Sequence, residues 1–120
     1  NEFSNTVSVI DTSTNMVIAT ITGFNVPRSI AVNPAGTRVY VANESGNTVS
    51  VIDTSTNTVI ATISGFNAPR GVAVNPAGTR VYVANAGSNT VSVIATGTNT
   101  VIATIPVGSR PRGVAARPLP

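Results

Sequence analysis

Three arginines recur at matching positions of this 120-residue chain and are its most regular chemically active side chains. Arg28, Arg70 and Arg112 each follow a proline, and each lies 42 residues from the next. A guanidinium group offers a planar set of donors that matches carboxylates and phosphates. If equivalent positions converge, the arginines predict a cationic surface for carboxylates, phosphates or an acidic partner. The alternative is that each arginine packs across its own sheet or binds loop carbonyls.

A phenylalanine followed by an asparagine lies just before each of the first two arginines. Phe24 and Asn25 precede the first arginine, and Phe66 and Asn67 precede the second. Exposed aromatic side chains are common in binding surfaces, so these four residues are candidates for a partner platform. The alternative is that each phenylalanine fills the gap between two packed sheets.

A third candidate surface surrounds the only N-x-S/T sequon of the chain. The sequon begins at Asn43 and includes Glu44, and we expect it in an exposed turn. Asn43 is therefore a candidate glycosylation site, and both residues are candidates for contact with a partner. Calcium requires several converging oxygen ligands, which one glutamate among a few asparagines does not supply. We predict no metal site and no cofactor.

The composition excludes several kinds of chemistry within this chain. It has no Cys, His, Lys or Trp, so it offers no disulfide, Cys/His zinc site, histidine base or cysteine nucleophile. Asp11 and Asp53 occupy equivalent turn positions 42 residues apart and do not form an acid/base pair. The net charge is only +3, without a basic run, so we expect no nucleic-acid partner. No apolar run approaches the ~20 residues of a membrane-spanning helix.

A 42-residue repeat organises the chain. Residues 5–43 and 47–85 differ at only five positions, and a more divergent third copy begins at Asn89. One period contains four short runs rich in Val, Ile and Thr, at 71–74, 80–84, 90–94 and 100–105, separated by turn residues. Apolar residues fall on both faces of these runs, which predicts a sheet packed between two other sheets.

The repeat predicts an all-β fold, a β-propeller with blades of four antiparallel strands. A duplicated β-sandwich has no reason to repeat every fourth strand, and the strands of a β-solenoid are parallel. With strands A to D named from the channel outward, 1–24 form a half blade of C and D, and 25–66 and 67–108 form full blades. Residues 109–120 then hold a lone inner strand, at 113–116, and a tail. Because propellers have about 4–8 blades, the ring is incomplete within this chain.

Four segments of the chain resemble the YVTN-type β-propeller repeat. They are residues 39–43, 47–53, 58–63 and 69–76, and the name-giving tetrapeptide reads Tyr-Val-Ala-Asn at 40–43 and 82–85. The resemblance covers nearly the whole chain. It implies a ring of about seven blades in a surface-layer, secreted or envelope protein, and it brings no catalytic residue set.

These observations lead us to expect a structural or recognition scaffold without enzymatic activity, at the cell surface, outside the cell or in the periplasm. The expected partners are the remaining blades of a longer chain or further copies of the chain itself, together with a protein or glycan ligand. Two alternatives stay open. In the first, the chain is an engineered or amplified repeat, as the near-identical copies indicate. In the second, it is a segment of a lactonase-like or lyase-like propeller enzyme whose site lies on other blades.

Overall fold

The computed structural model describes residues 4–116, whose regular structure is entirely β-strand. The strands in chain order are β1 (Val7–Asp11), β2 (Met16–Ile21), β3 (Pro27–Val32), β4 (Arg38–Asn43), β5 (Thr48–Asp53), β6 (Thr58–Ser64), β7 (Pro69–Val74), β8 (Arg80–Asn85), β9 (Thr90–Ala95) and β10 (Thr100–Pro106). Strands β1 and β2 form a two-stranded antiparallel sheet. Strands β3 to β6 and β7 to β10 form two four-stranded antiparallel meanders, which we call the first and second blade. The predicted all-β fold with four-stranded blades is confirmed.

Short polar turns fix where the strands begin and end. At the turn between β3 and β4, the Asn33 side-chain oxygen accepts hydrogen bonds from the amides of Thr37 and Arg38, at 2.8 and 3.0 Å. Between β5 and β6, the Asp53 carboxylate accepts from the Ser55 amide at 2.9 Å and from its hydroxyl at 2.7 Å. These bonds hold the pKa of Asp53 below its usual value, and the bond from the Ser55 hydroxyl makes the largest contribution. The predicted turn role of this aspartate is confirmed.

The first blade is apolar on both faces because it packs against a sheet on each side. Consecutive residues of a strand point to opposite faces, and Tyr40 and Val41 accordingly join two different clusters. The Tyr40 cluster extends into the second blade and includes Val83 and Phe66. The Val41 cluster extends towards β1 and β2 and includes Phe24. The expectation of a sheet between two other sheets is confirmed.

Apolar side chains stay exposed on all three sheets of the described segment. Ile18 of the half blade, Ile60 of the first blade and Ile102 of the second blade occupy equivalent positions and are 60%, 47% and 50% exposed. Ile30 on β3 of the first blade is 53% exposed as well. Exposure therefore does not distinguish the enclosed sheet from the outermost two. The incomplete ring follows instead from the number of blades, which is below the roughly 4–8 blades of a propeller.

The predicted lone inner strand at 113–116 is wrong, since no strand follows β10 within the described residues. In the two full blades, strand A pairs with strand B, whereas residues 113–116 have no strand pairing among the described residues. The backbone near 113 instead lies close against β7, so that a side chain at Gly71 would collide with the Arg112 carbonyl oxygen. The tail at 117–120 and the first residues of the predicted half blade lie outside the described range, and the proposed domain bounds stay a prediction.

Truncation of Phe66 tests the packing between the blades. In the intact protein, Phe66→Ala should lower the free energy of unfolding by about 3–5 kcal/mol, because it opens a cavity among side chains of both blades. Urea unfolding followed by circular dichroism measures the change. Ser64→Ala, at the exposed last residue of β6, is the control and should change it by less than about 0.5 kcal/mol. Equal effects of the two substitutions would contradict the assigned core.

Candidate functional site

The loops that carry the predicted site residues meet at one end of the blades. Strands β3 to β6 and β7 to β10 are strands A to D of the two blades. In each blade, the turn between strands B and C (the B–C turn) is hydrogen-bonded to the loop that connects strand D of the preceding sheet to strand A (the D–A loop). In the first blade the Glu44 amide donates to the Val26 carbonyl at 3.0 Å, and in the second the Ala86 amide donates to the Ala68 carbonyl at 3.1 Å. We call this end of the described segment the loop face.

Three asparagines hold the D–A loops in an unusual backbone conformation. Val26, Ala68 and Arg110 all have a positive φ, of 51°, 47° and 50°. Residues other than glycine rarely adopt this region, and a β-branched residue such as valine does so least readily. An asparagine side-chain oxygen accepts the amide hydrogen of each: Asn5 from Val26 at 2.9 Å, Asn47 from Ala68 at 2.9 Å, and Asn89 from Arg110 at 2.8 Å. We call these three contacts the asparagine clamps.

The arginines that follow two of these clamps are the extra residues of β-bulges. In the first blade Pro27 faces Asn43 and Ser29 faces Ala42, so Arg28 has no partner residue in β4. Arg70 occupies the same bulge in the second blade. A bulge turns its extra residue out of the regular pleat, and such features are common beside functional sites. The clamp, the proline and the bulge therefore place each arginine at the loop face.

Glu44 lies between these two arginines and compensates part of their charge. Its Oε2 lies 3.2 Å from Nε of Arg28 and 2.5 Å from Nε of Arg70. Neither contact has the angles of a good hydrogen bond, and Oε2 has no hydrogen-bond partner among the described residues. Arg28 instead donates to Oε1 through Nη2 at 3.4 Å. The contact is thus mainly electrostatic, and it brings Arg28, Arg70 and Glu44 together on one surface.

Asn43 is an internal structural residue, which corrects its prediction as a partner contact and glycosylation site. It is only 2% exposed. Its amide nitrogen donates to Ser50 at 2.8 Å and to Thr48 at 3.2 Å. Asn85 makes the equivalent bonds in the second blade. The Asn43 amide nitrogen uses its hydrogens in these two bonds inside the blade. Attachment of a glycan to that nitrogen would replace one of the hydrogens and leave a buried hydroxyl without its donor.

The predicted aromatic platform is also wrong, because Phe24 and Phe66 are 6% and 7% exposed. Each lies in one of the two apolar clusters between sheets, as the alternative interpretation proposed. The neighbouring Asn25 and Asn67 are exposed and cover the B–C turns of their blades. At Gly87 a side chain would collide with the Asn67 amide oxygen. A binding role for these two asparagines stays a prediction.

A polar pocket of about 460 Å³ opens at the loop face beside the second blade. Three arginines line it, Arg70, Arg110 and Arg112, together with Glu44 and Ala86. Arg110 was not predicted as a site residue, since the equivalent residues are Val26 and Ala68 and the repeat gives no signal for an arginine there. Arg112 lies where the repeat predicted it, beside Arg70.

Other kinds of site are not apparent in residues 4–116. No three acidic, histidine or cysteine side chains approach one another closely enough to hold a metal ion within that range. The same range has no helix long and apolar enough to cross a membrane. Asp53 and Arg38 lie at the far end of the first blade, where their side chains are 3.6 Å apart.

Comparison with known families identifies the chain. Residues 1–104 match the family described as Lactonase, 7-bladed beta-propeller. The chain belongs to this lactonase propeller family. The β-propeller predicted from the repeat is therefore confirmed, whereas its YVTN-type and surface-layer character stays a prediction. No curated protein matches the chain significantly.

Solved structures similar to the chain are also propeller-like over its length. The chain is 33% identical to hydrazine synthase of Kuenenia stuttgartiensis, with a TM-score of 0.75 over 78% of this chain and 27% of that one. It is 16% identical to AztD of Citrobacter koseri, with a TM-score of 0.80 over 96% and 33%. It is 19% identical to a functionally unknown protein of Desulfotomaculum acetoxidans, with a TM-score of 0.83 over 90% and 35%. The chain thus spans about a third or less of these structures.

Membership of the lactonase propeller family corrects one expectation from the sequence. We expected a scaffold without enzymatic activity, but the family match and the similarity to hydrazine synthase point to enzyme-related propellers. The expectation was wrong because it required a complete catalytic set within this chain. The chain covers only part of a ring, and the groups of a propeller site come from several blades.

Substitution of Glu44 tests its electrostatic role. In the intact protein, Glu44→Gln should lower the free energy of unfolding by roughly 0.5–1 kcal/mol at low salt, because Arg28 and Arg70 then face each other without a carboxylate. At about 0.5 M NaCl the loss should shrink, because salt screens their repulsion. Urea unfolding at both salt concentrations measures this, with Arg80→Gln as the control. A loss that is the same at both concentrations would contradict the assignment.

Proposed function

We propose that this chain is a segment of a lactonase-like propeller enzyme and that its loop face supplies binding groups for the substrate. The observation that carries the proposal is the family match over residues 1–104, combined with the arginines that converge at the loop face. In this proposal the remaining blades of a longer chain complete both the ring and the site.

Lactone hydrolysis would draw on such arginines in two ways. Water adds to the carbonyl carbon of the cyclic ester and forms a tetrahedral oxyanion. The carbon–oxygen bond of the ring then breaks, the ring oxygen takes up a proton, and a hydroxy acid with a carboxylate group results. Fixed guanidinium groups stabilise both the oxyanion and the product carboxylate. Arg70 and Arg112 line the loop-face pocket and are suited to this task.

The base that activates the water is best sought on other blades. Glu44 is the acid that borders the pocket, and its carboxylate is held between Arg28 and Arg70. Its carboxylate is thus engaged in two ion pairs. Asp53 caps a turn at the opposite end of the blade. We therefore assign binding and charge stabilisation to this segment and assign no proton transfer to it.

The YVTN-type resemblance supports a further part of the proposal, the location of the protein. Surface-layer and envelope proteins carry such repeats, so we propose that the enzyme acts at the cell surface, outside the cell or in the periplasm. Fractionation of the native cells followed by immunodetection distinguishes these locations from the cytoplasm.

Assays of lactone opening test the proposed activity. The intact protein should open at least one five- or six-membered lactone faster than buffer alone, as measured by acid release in a pH-stat. Arg70→Gln should lower kcat/KM by roughly 10- to 100-fold, the usual effect of removing one group that stabilises an oxyanion. Arg80→Gln is the matched control, because Arg80 is exposed at the far end of the second blade and bonds the Thr79 carbonyl.

Two results would contradict the proposal. One is the absence of hydrolysis above the buffer rate for every lactone of the panel. The other is an equal effect of Arg70→Gln and Arg80→Gln, which would show that the loop face contributes nothing specific to the reaction.

A further inference from the structure

Two equivalent corners of the loop face share one backbone but differ in charge. In the first corner, Glu44 lies between Arg28 and Arg70. In the second corner, 42 residues later, the corresponding residues are Arg70, Ala86 and Arg112. The sequence repeat also places an acid, Glu2, at the equivalent position of the first copy, so alanine is the exception.

The replaced residue keeps its backbone contact, so only the carboxylate is lost. The Ala86 amide bonds the Ala68 carbonyl at 3.1 Å, just as the Glu44 amide bonds the Val26 carbonyl at 3.0 Å. Ala86 lies in the wall of the pocket of about 460 Å³ that Arg70 and Arg112 line. The second corner therefore offers open space where the first corner has a carboxylate.

The second corner also gains a cation that the first corner lacks. Arg110 stands at the position of Val26 and Ala68, and its backbone is fixed by the clamp from Asn89 at 2.8 Å. Within residues 4–116, neither Arg110 nor Arg112 forms a salt bridge. Glu44 also lines the pocket, but its carboxylate contacts Arg28 and Arg70. Among the described residues, no carboxylate forms an ion pair with Arg110 or Arg112.

We propose that this pocket binds the carboxylate group of a small organic acid. The first corner shows the arrangement from which we infer the ligand, with a carboxylate oxygen at 3.2 and 2.5 Å from two arginine Nε atoms. A ligand carboxylate takes the place of the missing Glu side chain, and Arg110 adds a third guanidinium. The choice of a hydroxy acid as the ligand rests on the proposed lactonase function, whereas the carboxylate site rests on the charges of the corner alone.

Titration of the intact protein with gluconate tests the proposal without any turnover. Gluconate carries one carboxylate on a chain of hydroxyl groups, and sorbitol is its uncharged analogue. We expect gluconate to shift the amide resonances of Ala86 and Gly87 in a saturable manner, and sorbitol to leave them unchanged. Added salt should weaken the binding, since its main contribution is electrostatic.

Two variants copy residues from the chain's own repeats, so both are expected to fold. Ala86→Glu recreates the arrangement around Glu44 and should weaken gluconate binding by at least about 10-fold, because it fills the site with an internal carboxylate. Arg110→Ala copies Ala68 and should weaken binding by about 3- to 10-fold. Ala86→Gln fills similar space without a charge and should weaken binding less than Ala86→Glu.

Three outcomes would overturn the proposal. They are no saturable binding of gluconate, unchanged binding in Ala86→Glu, and binding of inorganic phosphate more than about 10-fold tighter than that of gluconate. A protein that binds gluconate but opens no lactone would retain the carboxylate site and lose the proposed enzymatic function. A protein that opens lactones but does not bind gluconate at this pocket would retain the proposed enzymatic function and lose the carboxylate site.

Discussion

The loop face depends on one recurring contact, the hydrogen bond from an asparagine side chain to the amide of a D–A loop residue with a positive φ. Val26 and Ala68 adopt this conformation without the freedom of glycine, and the unfavourable backbone costs roughly 1–2 kcal/mol per residue. The clamp offsets part of that cost. It also fixes the direction in which the chain enters the next blade, and the proline and the bulged arginine follow immediately.

A constant backbone with variable charges explains how nearly identical repeats acquire different chemistry. The clamps, the turns between the first two strands and the buried Asn43 and Asn85 are the same in both blades. The difference lies in a few positions at the blade ends. Glu44 closes one corner by joining two arginines, and Ala86 leaves the next corner open. The first corner thereby contributes to cohesion, while the second is available for a ligand.

Much of the fold could be predicted from the sequence, because the strand pattern is local and is repeated. The turn residues around β7 to β10 placed the strands to within two residues of their observed bounds. The prediction of an inner strand at 113–116 failed because a strand requires a partner, which local pattern does not reveal.

Asn43 and the phenylalanines were misassigned because burial depends on how sheets pack, whereas a sequon or a loop aromatic looks exposed in isolation. Arg110 was missed because it departs from the repeat that guided the search. The expectation of no enzymatic activity was wrong because the residue types missing from this segment do not limit the other blades of the ring.

Amide hydrogen exchange at Ala68 in the intact protein measures the asparagine clamp most directly. We expect this amide to be protected in the native protein and in Asn47→Asp, which keeps an acceptor oxygen. In Asn47→Ala it should exchange at least about 10-fold faster, while the amide of Val51 within β5 keeps its protection. An unprotected Ala68 amide in the native protein, or equal protection in Asn47→Ala, would contradict the central role of the clamp.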